Sequence, residues 1–241
     1  MELLVDTHTH TVASGHAYST LRENAIVSKQ NGMQAICCTD HGPRLKGGAV
    51  DFIIPVLAGV PREIEGLRVF CGTEANILDF SGKVDIPERF LKVTEFAIAS
   101  MHDIVIDPGT EEENTEAMIA ALRNPYIDVL GHPGNPYYPV NREALVKEAA
   151  RLGKLVEINN HSFEYRTGSA PNCKNYLSLC KQYGVRIVVS SDAHICYNIG
   201  KFEYARAAIE ETDFPEELIA SRNLVAFEEY LQERKERLRI Q

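Results

Sequence analysis

The sequence has no tryptophan, few basic residues and no apolar run near the roughly 20 residues that span a bilayer. Its start, MELLVDTHTH, lacks the basic and apolar segments of a signal peptide, so we expect a cytoplasmic protein without membrane partners. The 25 Lys and Arg residues against 34 Asp and Glu residues give a net charge of −9. Because that charge repels a nucleic-acid backbone, we expect no long nucleic acid as a partner.

Cysteine is scattered and forms no CxxC pair. The positions are Cys37, Cys38, Cys71, Cys173, Cys180 and Cys196. This pattern is typical of reduced, buried thiols, and it favours neither a disulfide framework nor a thiolate metal site.

Short apolar runs alternate with helical patterns along the whole chain, without a linker or an internal repeat. The runs are Leu3–Val5, Ala35–Thr39, Leu67–Gly72, Phe96–Ser100, Ile127–Gly131, Leu155–Ile158 and Arg186–Ser190. The helical patterns are Leu21–Asn31, Arg142–Leu152, Asn172–Tyr183, Glu203–Glu211 and Ala226–Arg237. The alternation predicts a single α/β domain over residues 1–241, a barrel of about seven parallel strands. A longer connection, Gly42 to Gly66, is expected to lie over the site.

Most histidines follow the ends of these runs. They are His8, His10, His16, His41, His102, His132 and His194, and the acids Asp6, Asp40, Glu74 and Asp192 share such positions. In parallel α/β folds the carboxyl ends of the strands face one crevice, so these side chains are expected to converge. Taken singly, a histidine before a proline or inside a core needs no metal. The set on one rim predicts a metal centre.

Local spacing supports the same interpretation. The period of two in DTHTH directs His8 and His10 to one side of an extended strand, from which both reach one cation. Glu74 ends the third run, and a carboxylate can bridge two metals. We expect Asp6 and Asp40 to orient ligands rather than bind directly. His161 is expected to orient other groups or to face solvent.

The motifs together resemble the PHP (polymerase and histidinol phosphatase) family. They are DTHTH at 6–10, TDHG at 39–42, GTEANI at 72–77, SMHD at 100–103, GHPGNP at 131–136, EINN at 157–160 and SSDAH at 190–194. The resemblance covers nearly the whole chain and is strongest to the stand-alone phosphatase branch with three metals. It implies a distorted (β/α)7 TIM-like barrel.

The resemblance also implies nine metal ligands. One metal would be held by His8, His10, Glu74 and Asp192, a second by Glu74, His102 and His132, and a third by His16, His41 and His194. Because imidazoles outnumber carboxylates among these ligands, zinc is the favoured metal, and manganese and iron are alternatives. Two or three ions are expected.

The function this predicts is hydrolysis of a small phosphomonoester by a metal-activated hydroxide. Glu74 and Asp192 are the predicted catalytic residues, with Asp192 accepting a proton near the attacking water. Arg44, Lys46 and Arg166 follow strand ends and are candidates for binding the phosphate, although the pattern favours solvated surface charge for them.

Three other hypotheses remain at this stage. The same site could cleave phosphodiesters in nucleotides or short oligonucleotides. An amidohydrolase of C–N bonds shares the HxH pattern, but it commonly uses a lysine where this chain has Glu74. A metal-stabilised regulatory domain without turnover would usually have lost ligands, whereas here the set is intact.

Overall fold

The computed structural model describes residues 1–50 and 52–240, and its centre is a parallel sheet curled into a nearly closed barrel. Seven strands follow one another in chain order, and β3 adds an antiparallel pairing to the start of β4. The strands are β1 (Val5–Thr9), β2 (Ala35–Cys38), β3 (Glu63–Ile64), β4 (Leu67–Asn76), β5 (Phe96–Ser100), β6 (Val129–Leu130), β7 (Leu155–Asn159) and β8 (Ile187–Ser190). The predicted seven-stranded α/β barrel is confirmed.

Helices surround the barrel. They are α1 (Leu21–Gln30), α2 (Ile53–Ala58), α3 (Glu88–Leu91), α4 (Glu111–Arg123), α5 (Arg142–Leu152), α6 (Asn160–Tyr165), α7 (Ser169–Tyr183), α8 (Glu203–Glu211) and α9 (Leu224–Ile240). Among the described residues, no helix has both the length and the apolar character needed to cross a membrane.

The sequence predicted α5 and α8 with their observed bounds, but it missed the short helices α2, α3 and α6 and the longer helix α4. Thr110 and Glu113 form a capping box at the start of α4, but three glutamates fill its first turn. The buried apolar residues lie only in its second half, which weakens the helical periodicity. The connection from Gly42 to Gly66 contains α2 and β3, and Asp51 within it lies outside the described residues.

Helix α9 closes the barrel at the amino ends of the strands. Phe227 of α9 packs edge-on against Phe70 and Phe96 inside the barrel, with ring centroids 5.1 and 5.4 Å apart. Below them the buried Arg234 guanidinium donates to Asp128, with Nε 2.8 Å from Oδ1. With this end filled, the opening of the barrel is at the carboxyl ends of the strands, where parallel α/β barrels place their sites.

The seam between β1 and β8 has a parallel backbone bridge between Thr9 and Ala193, with His10 N donating to Ala193 O at 2.9 Å, and further contacts close the rest of it. Near the amino ends, Val5 N donates to Ser221 O at 3.2 Å, and Val189 N donates to Ser221 Oγ at 2.8 Å. Nearer the opening, the Asp6 carboxylate accepts from Ser191 N and Gly200 N, both at 3.0 Å. Asp6 therefore joins the two edge strands, and its burial raises its pKa to about 6.

A bulge in β1 separates Asp6 from the two histidines that follow it. The register pairs Asp6 with Ile36 but Thr9 with Cys38, so β1 has one residue more than β2 over this stretch. The side chains of His8 and His10 consequently share the inside of the barrel, while Asp6 is directed to the seam. Strict alternation along DTHTH did not predict this separation.

All six cysteines are buried and carry free thiols. Burial raises the pKa of Cys71 to about 11 and that of Cys173 to about 12. These thiols are therefore protonated at neutral pH and act as small apolar groups of the core.

Candidate metal centre

The centre of the site is Glu74, a buried carboxylate on β4. The imidazole nitrogens around it are His41 Nδ1 at 2.7 Å, His132 Nε2 at 3.1 Å, His8 Nε2 at 3.2 Å, His102 Nε2 at 3.3 Å and His10 Nε2 at 3.6 Å. Burial opposes ionisation of Glu74, but the neighbouring imidazoles hold its pKa well below its ordinary value. One ionised carboxylate thus faces five histidines.

Several of these atoms are buried without a hydrogen-bond partner among the described residues. They are His8 Nε2, His10 Nε2 and Glu74 Oε2. His41 Nδ1 lies close to Glu74 Oε2 but without the directionality of a hydrogen bond. A buried polar atom without a hydrogen-bond partner destabilises the fold by about 1–3 kcal/mol. Several such atoms together indicate that a bound group normally contacts them. Lone pairs of imidazole and carboxylate that converge in this way fit divalent cations.

Glu157 sets the tautomer of His8. The carboxylate lies 2.7 Å from His8 Nδ1 and is also hydrogen-bonded by Ser190 Oγ at 2.7 Å and by the backbone N–H of His132. His8 Nδ1 therefore donates to Glu157, and its Nε2 faces Glu74 and Asp192. The sequence analysis did not select Glu157, although a glutamate inside the apolar strand LVEIN is a recognisable signal.

A chain of hydrogen bonds orients His10. Ser14 Oγ donates to Asp40 Oδ1 at 2.7 Å, so it accepts the proton of His10 Nδ1 at 3.0 Å. Asp40 is held in turn by the backbone and hydroxyl of Thr11, at 2.7 and 2.8 Å. His10 Nε2 is left free to face Glu74 and Asp192. Asp40 thus acts through Ser14, a residue that the sequence analysis did not select.

We expect Ser14→Ala to weaken zinc binding by about tenfold, because loss of an outer hydrogen-bond partner typically costs 10–100-fold. Without the Ser14 hydroxyl, His10 Nδ1 loses its acceptor and Asp40 loses a donor. Competition against a chromogenic chelator measures the affinity. Ser178→Ala is the matched control, since Ser178 is exposed on α7. Equal zinc affinity in the two variants would contradict the expected role of Ser14.

A similar arrangement orients His102. Asn76 Nδ2 donates to Asp85 Oδ2 at 2.6 Å, so the Asn76 amide oxygen accepts from His102 Nδ1 at 2.7 Å. His102 Nε2 then faces Glu74. Three histidines, one in β1 and two just after β1 and β5, are therefore each oriented through Nδ1 by a different polar neighbour.

His16 and His194 form the outer edge of the centre. Their Nε2 atoms lie 2.9 Å apart. The Nδ1 of each lies 3.0 Å from a backbone carbonyl, Ser14 O for His16 and Asp192 O for His194. If each Nδ1–H donates to its carbonyl, two lone pairs face each other across this short distance, an arrangement that a cation relieves.

Two residues of the centre have strained backbones. His132 has φ 31° and Asp192 has φ 54°, both in the left-handed region that side-chain-bearing residues rarely occupy. Asp192 is held there by Asn159 Nδ2 and the Arg166 guanidinium, each 3.2 Å from Oδ2, which leaves Oδ1 facing His8 and His10. Burial, followed by the charge of Arg166, lowers the pKa of His132 to about 4, so its imidazole is neutral at pH 7.

A cavity of about 560 Å³ opens over the centre. Of the three predicted phosphate-binding residues, Lys46 and Arg166 line it. Arg44 is exposed and is not among the lining residues of this cavity. His161, in the first turn of α6, also lines the cavity and packs against Tyr165 with ring centroids 4.2 Å apart.

The nine predicted ligands all lie in this region, and compact groups form among them. The groups are His8, His10 and Glu74; His41, Glu74 and His102; and His10, His41 and His194. Within each group the ligand atoms lie within 4.8 Å of one another. His10, His41 and Glu74 each belong to two groups, so any ions held here would be close neighbours.

Comparisons with known proteins identify the family and related structures. A family model described as PHP domain matches residues 6–212. A probable phosphatase of Acetivibrio thermocellus is 47% identical over 99% of both chains, and one of Caldicellulosiruptor saccharolyticus is 48% identical over 96% of this chain and 97% of its own. A histidinol phosphate phosphatase of Lactococcus lactis, solved with zinc, L-histidinol and phosphate, shares the fold with a TM-score of 0.58. The two sequences are 18% identical, and the match covers 88% of this chain and 95% of the other.

The fold and the centre define a class: a TIM-like barrel hydrolase with a histidine-rich metal-binding cluster at the mouth of the barrel. The chain belongs to the PHP domain family, and the names of its relatives support a phosphatase activity.

Proposed function

We propose that this protein hydrolyses small phosphomonoesters at a centre of two or three zinc ions. The observation that carries the proposal is Glu74, a single ionised carboxylate surrounded by five imidazoles, several of whose buried atoms lack partners among the described residues. The relatives named probable phosphatases support the reaction class, and the zinc in the Lactococcus lactis enzyme supports the metal.

The ligands proposed for these ions are the nine predicted from the sequence. They are His8, His10, His16, His41, Glu74, His102, His132, Asp192 and His194. When bound, such ions neutralise phosphoryl charge and make water more acidic. Imidazole ligands suit zinc better than magnesium. Manganese and iron satisfy the same donor set.

Arg166 and Lys46 are the proposed contacts for the phosphoryl group. Two guanidinium nitrogens of Arg166 donate hydrogen bonds. One donates to Ser162 Oγ at 2.9 Å and the other to Asp192 Oδ2 at 3.2 Å. This contact orients the guanidinium at the cavity wall, where its charge attracts phosphoryl oxygens. Lys46 is exposed at the same wall and adds a second, more mobile positive charge.

Asp192 is the proposed proton acceptor. Its Oδ2 already accepts hydrogen bonds from Asn159 and Arg166, whereas Oδ1 faces the centre. In the reaction, an oxygen of water forms the new bond to phosphorus, and the bond from phosphorus to the alcohol oxygen breaks. The proton lost by water passes to the Asp192 carboxylate and from there to the departing alcohol oxygen, so the carboxylate is regenerated and water supplies both the new phosphate oxygen and the alcohol proton.

Hydrolysis of p-nitrophenyl phosphate in ¹⁸O-labelled water tests this function. We expect the label to appear in inorganic phosphate, because water attacks phosphorus. Bis(p-nitrophenyl) phosphate in parallel separates a phosphodiesterase from a phosphomonoesterase. Failure to hydrolyse any phosphomonoester after loading with Zn²⁺ or Mn²⁺ would refute the proposal, and faster cleavage of the diester would replace it with the nuclease-type alternative.

A further inference from the structure

A second cavity of about 480 Å³ adjoins the cavity over the metal centre. Four residues line both: His102, Asp103, His132 and Arg166. The lining of the second cavity is completed by Met101, Asn135, Pro136, Tyr137 and Thr167. A phosphoryl group at the metal centre therefore has an adjoining space into which the rest of a substrate can extend, and the size of that space suits a small molecule.

Positive and negative side chains are distributed differently along the two cavities. Lys46 and Arg166 line the first cavity, and Arg166 lines both. Asp103 also lines both, and among the described residues its carboxylate is in no hydrogen bond or ion pair. Asp192, the other acid at the wall, is already bound by Arg166 and Asn159.

An unpaired acid beside an anion-binding site needs an explanation, because it repels the phosphate that the site is proposed to bind. Asp103 is exposed, and among the described residues no group forms a hydrogen bond with its carboxylate. A carboxylate in this position accepts hydrogen bonds from donor groups and disfavours a second anion nearby. The neighbouring wall residues Asn135, Tyr137 and Thr167 are polar as well.

We propose that Asp103 is a specificity-determining residue that accepts hydrogen bonds from hydroxyl or ammonium groups of the leaving alcohol and excludes alcohols that carry a second negative charge. The second cavity is then the leaving-group subsite. This inference rests on the proposed phosphomonoesterase function, and it adds the chemical class of the alcohol.

Three substrates of similar size test the subsite: glycerol 3-phosphate, phosphoethanolamine and 3-phosphoglycerate. The wild-type protein, loaded with Zn²⁺, is expected to prefer the first two over 3-phosphoglycerate in kcat/KM. Asp103→Asn should reduce that preference by about tenfold or more, because the repulsion of the carboxylate disappears. Asp103→Lys should reduce it further. The ratio of phosphoethanolamine to glycerol 3-phosphate shows whether ammonium or hydroxyl is the better donor.

Asp107→Asn is the matched control, since Asp107 is an exposed acid four positions further on that lines neither cavity. Zinc content of each variant shows that the adjacent His102 still binds. If p-nitrophenyl phosphate is hydrolysed but both Asp103 variants keep the wild-type preference, the subsite is refuted and the proposed function stands. If no phosphomonoester is hydrolysed at all, the proposed function fails and the subsite fails with it.

Discussion

Glu74→Gln is expected to lower phosphatase activity by ~10³-fold or more and to remove bound metal. Removal of one preorganised electrostatic partner alone costs ~10²–10³ in rate, and Glu74 faces five imidazoles at once. The amide keeps the shape of the side chain but loses the charge that two cations would share. Elemental mass spectrometry and p-nitrophenyl phosphate hydrolysis of the same preparation measure both effects.

Glu116→Gln is the control for this variant, because Glu116 is exposed on α4 and far in sequence from the site motifs. Its activity and metal content should equal those of the wild-type protein. Excess Zn²⁺ should not restore the Glu74 variant, since the amide cannot bridge. Retention of full activity by Glu74→Gln would show that this carboxylate is not the bridge and that another group holds the ions.

Glu157→Gln is expected to weaken metal binding by about 10–100-fold without touching a metal directly. Every partner of this carboxylate is a donor: His8 Nδ1, Ser190 Oγ, the His132 N–H and Asn159 Nδ2. An amide would set its own N–H₂ against one of these donors. His8 would then lose the acceptor that fixes its tautomer, and Nε2 would no longer be presented reliably to the centre.

The two glutamate variants are distinguished by rescue with metal. Saturating Zn²⁺ should recover most of the activity of Glu157→Gln, because the ligands themselves remain, whereas Glu74→Gln stays inactive. Glu164→Gln, an exposed change on α6, serves as the control. If Glu157→Gln binds Zn²⁺ with wild-type affinity, the contact with His8 has no part in preparing the centre.

The barrel was predictable because buried parallel strands read as short continuous apolar runs. Each of the seven runs overlaps a strand, and Phe96–Ser100 matches β5 at both ends. A helix was predictable where the residues at its two ends mark its limits. In α5, Asn141 is the N-cap and Gly153 is the C-cap. The seam between β1 and β8 was not, because Ser221 and Asp6 close it through contacts distant in sequence.

The site residues were predictable as a set because they follow strand ends, but their supporting contacts were not. Ser14 and Asn76 are common residue types whose role depends on which side chain they meet in three dimensions. The same holds for Asp103, which the sequence analysis read only as part of the motif SMHD. The bulge in β1 is a property of strand pairing, and no local feature of DTHTH announces it.

The most direct test of the central claim is the number of metal ions bound by the purified protein, measured by elemental mass spectrometry together with p-nitrophenyl phosphate hydrolysis before and after chelation. We predict two to three ions per chain, loss of activity when they are removed, and recovery on addition of Zn²⁺ or Mn²⁺. One ion or none, with no activity restored by either metal, would contradict the account and favour a metal-stabilised domain without turnover.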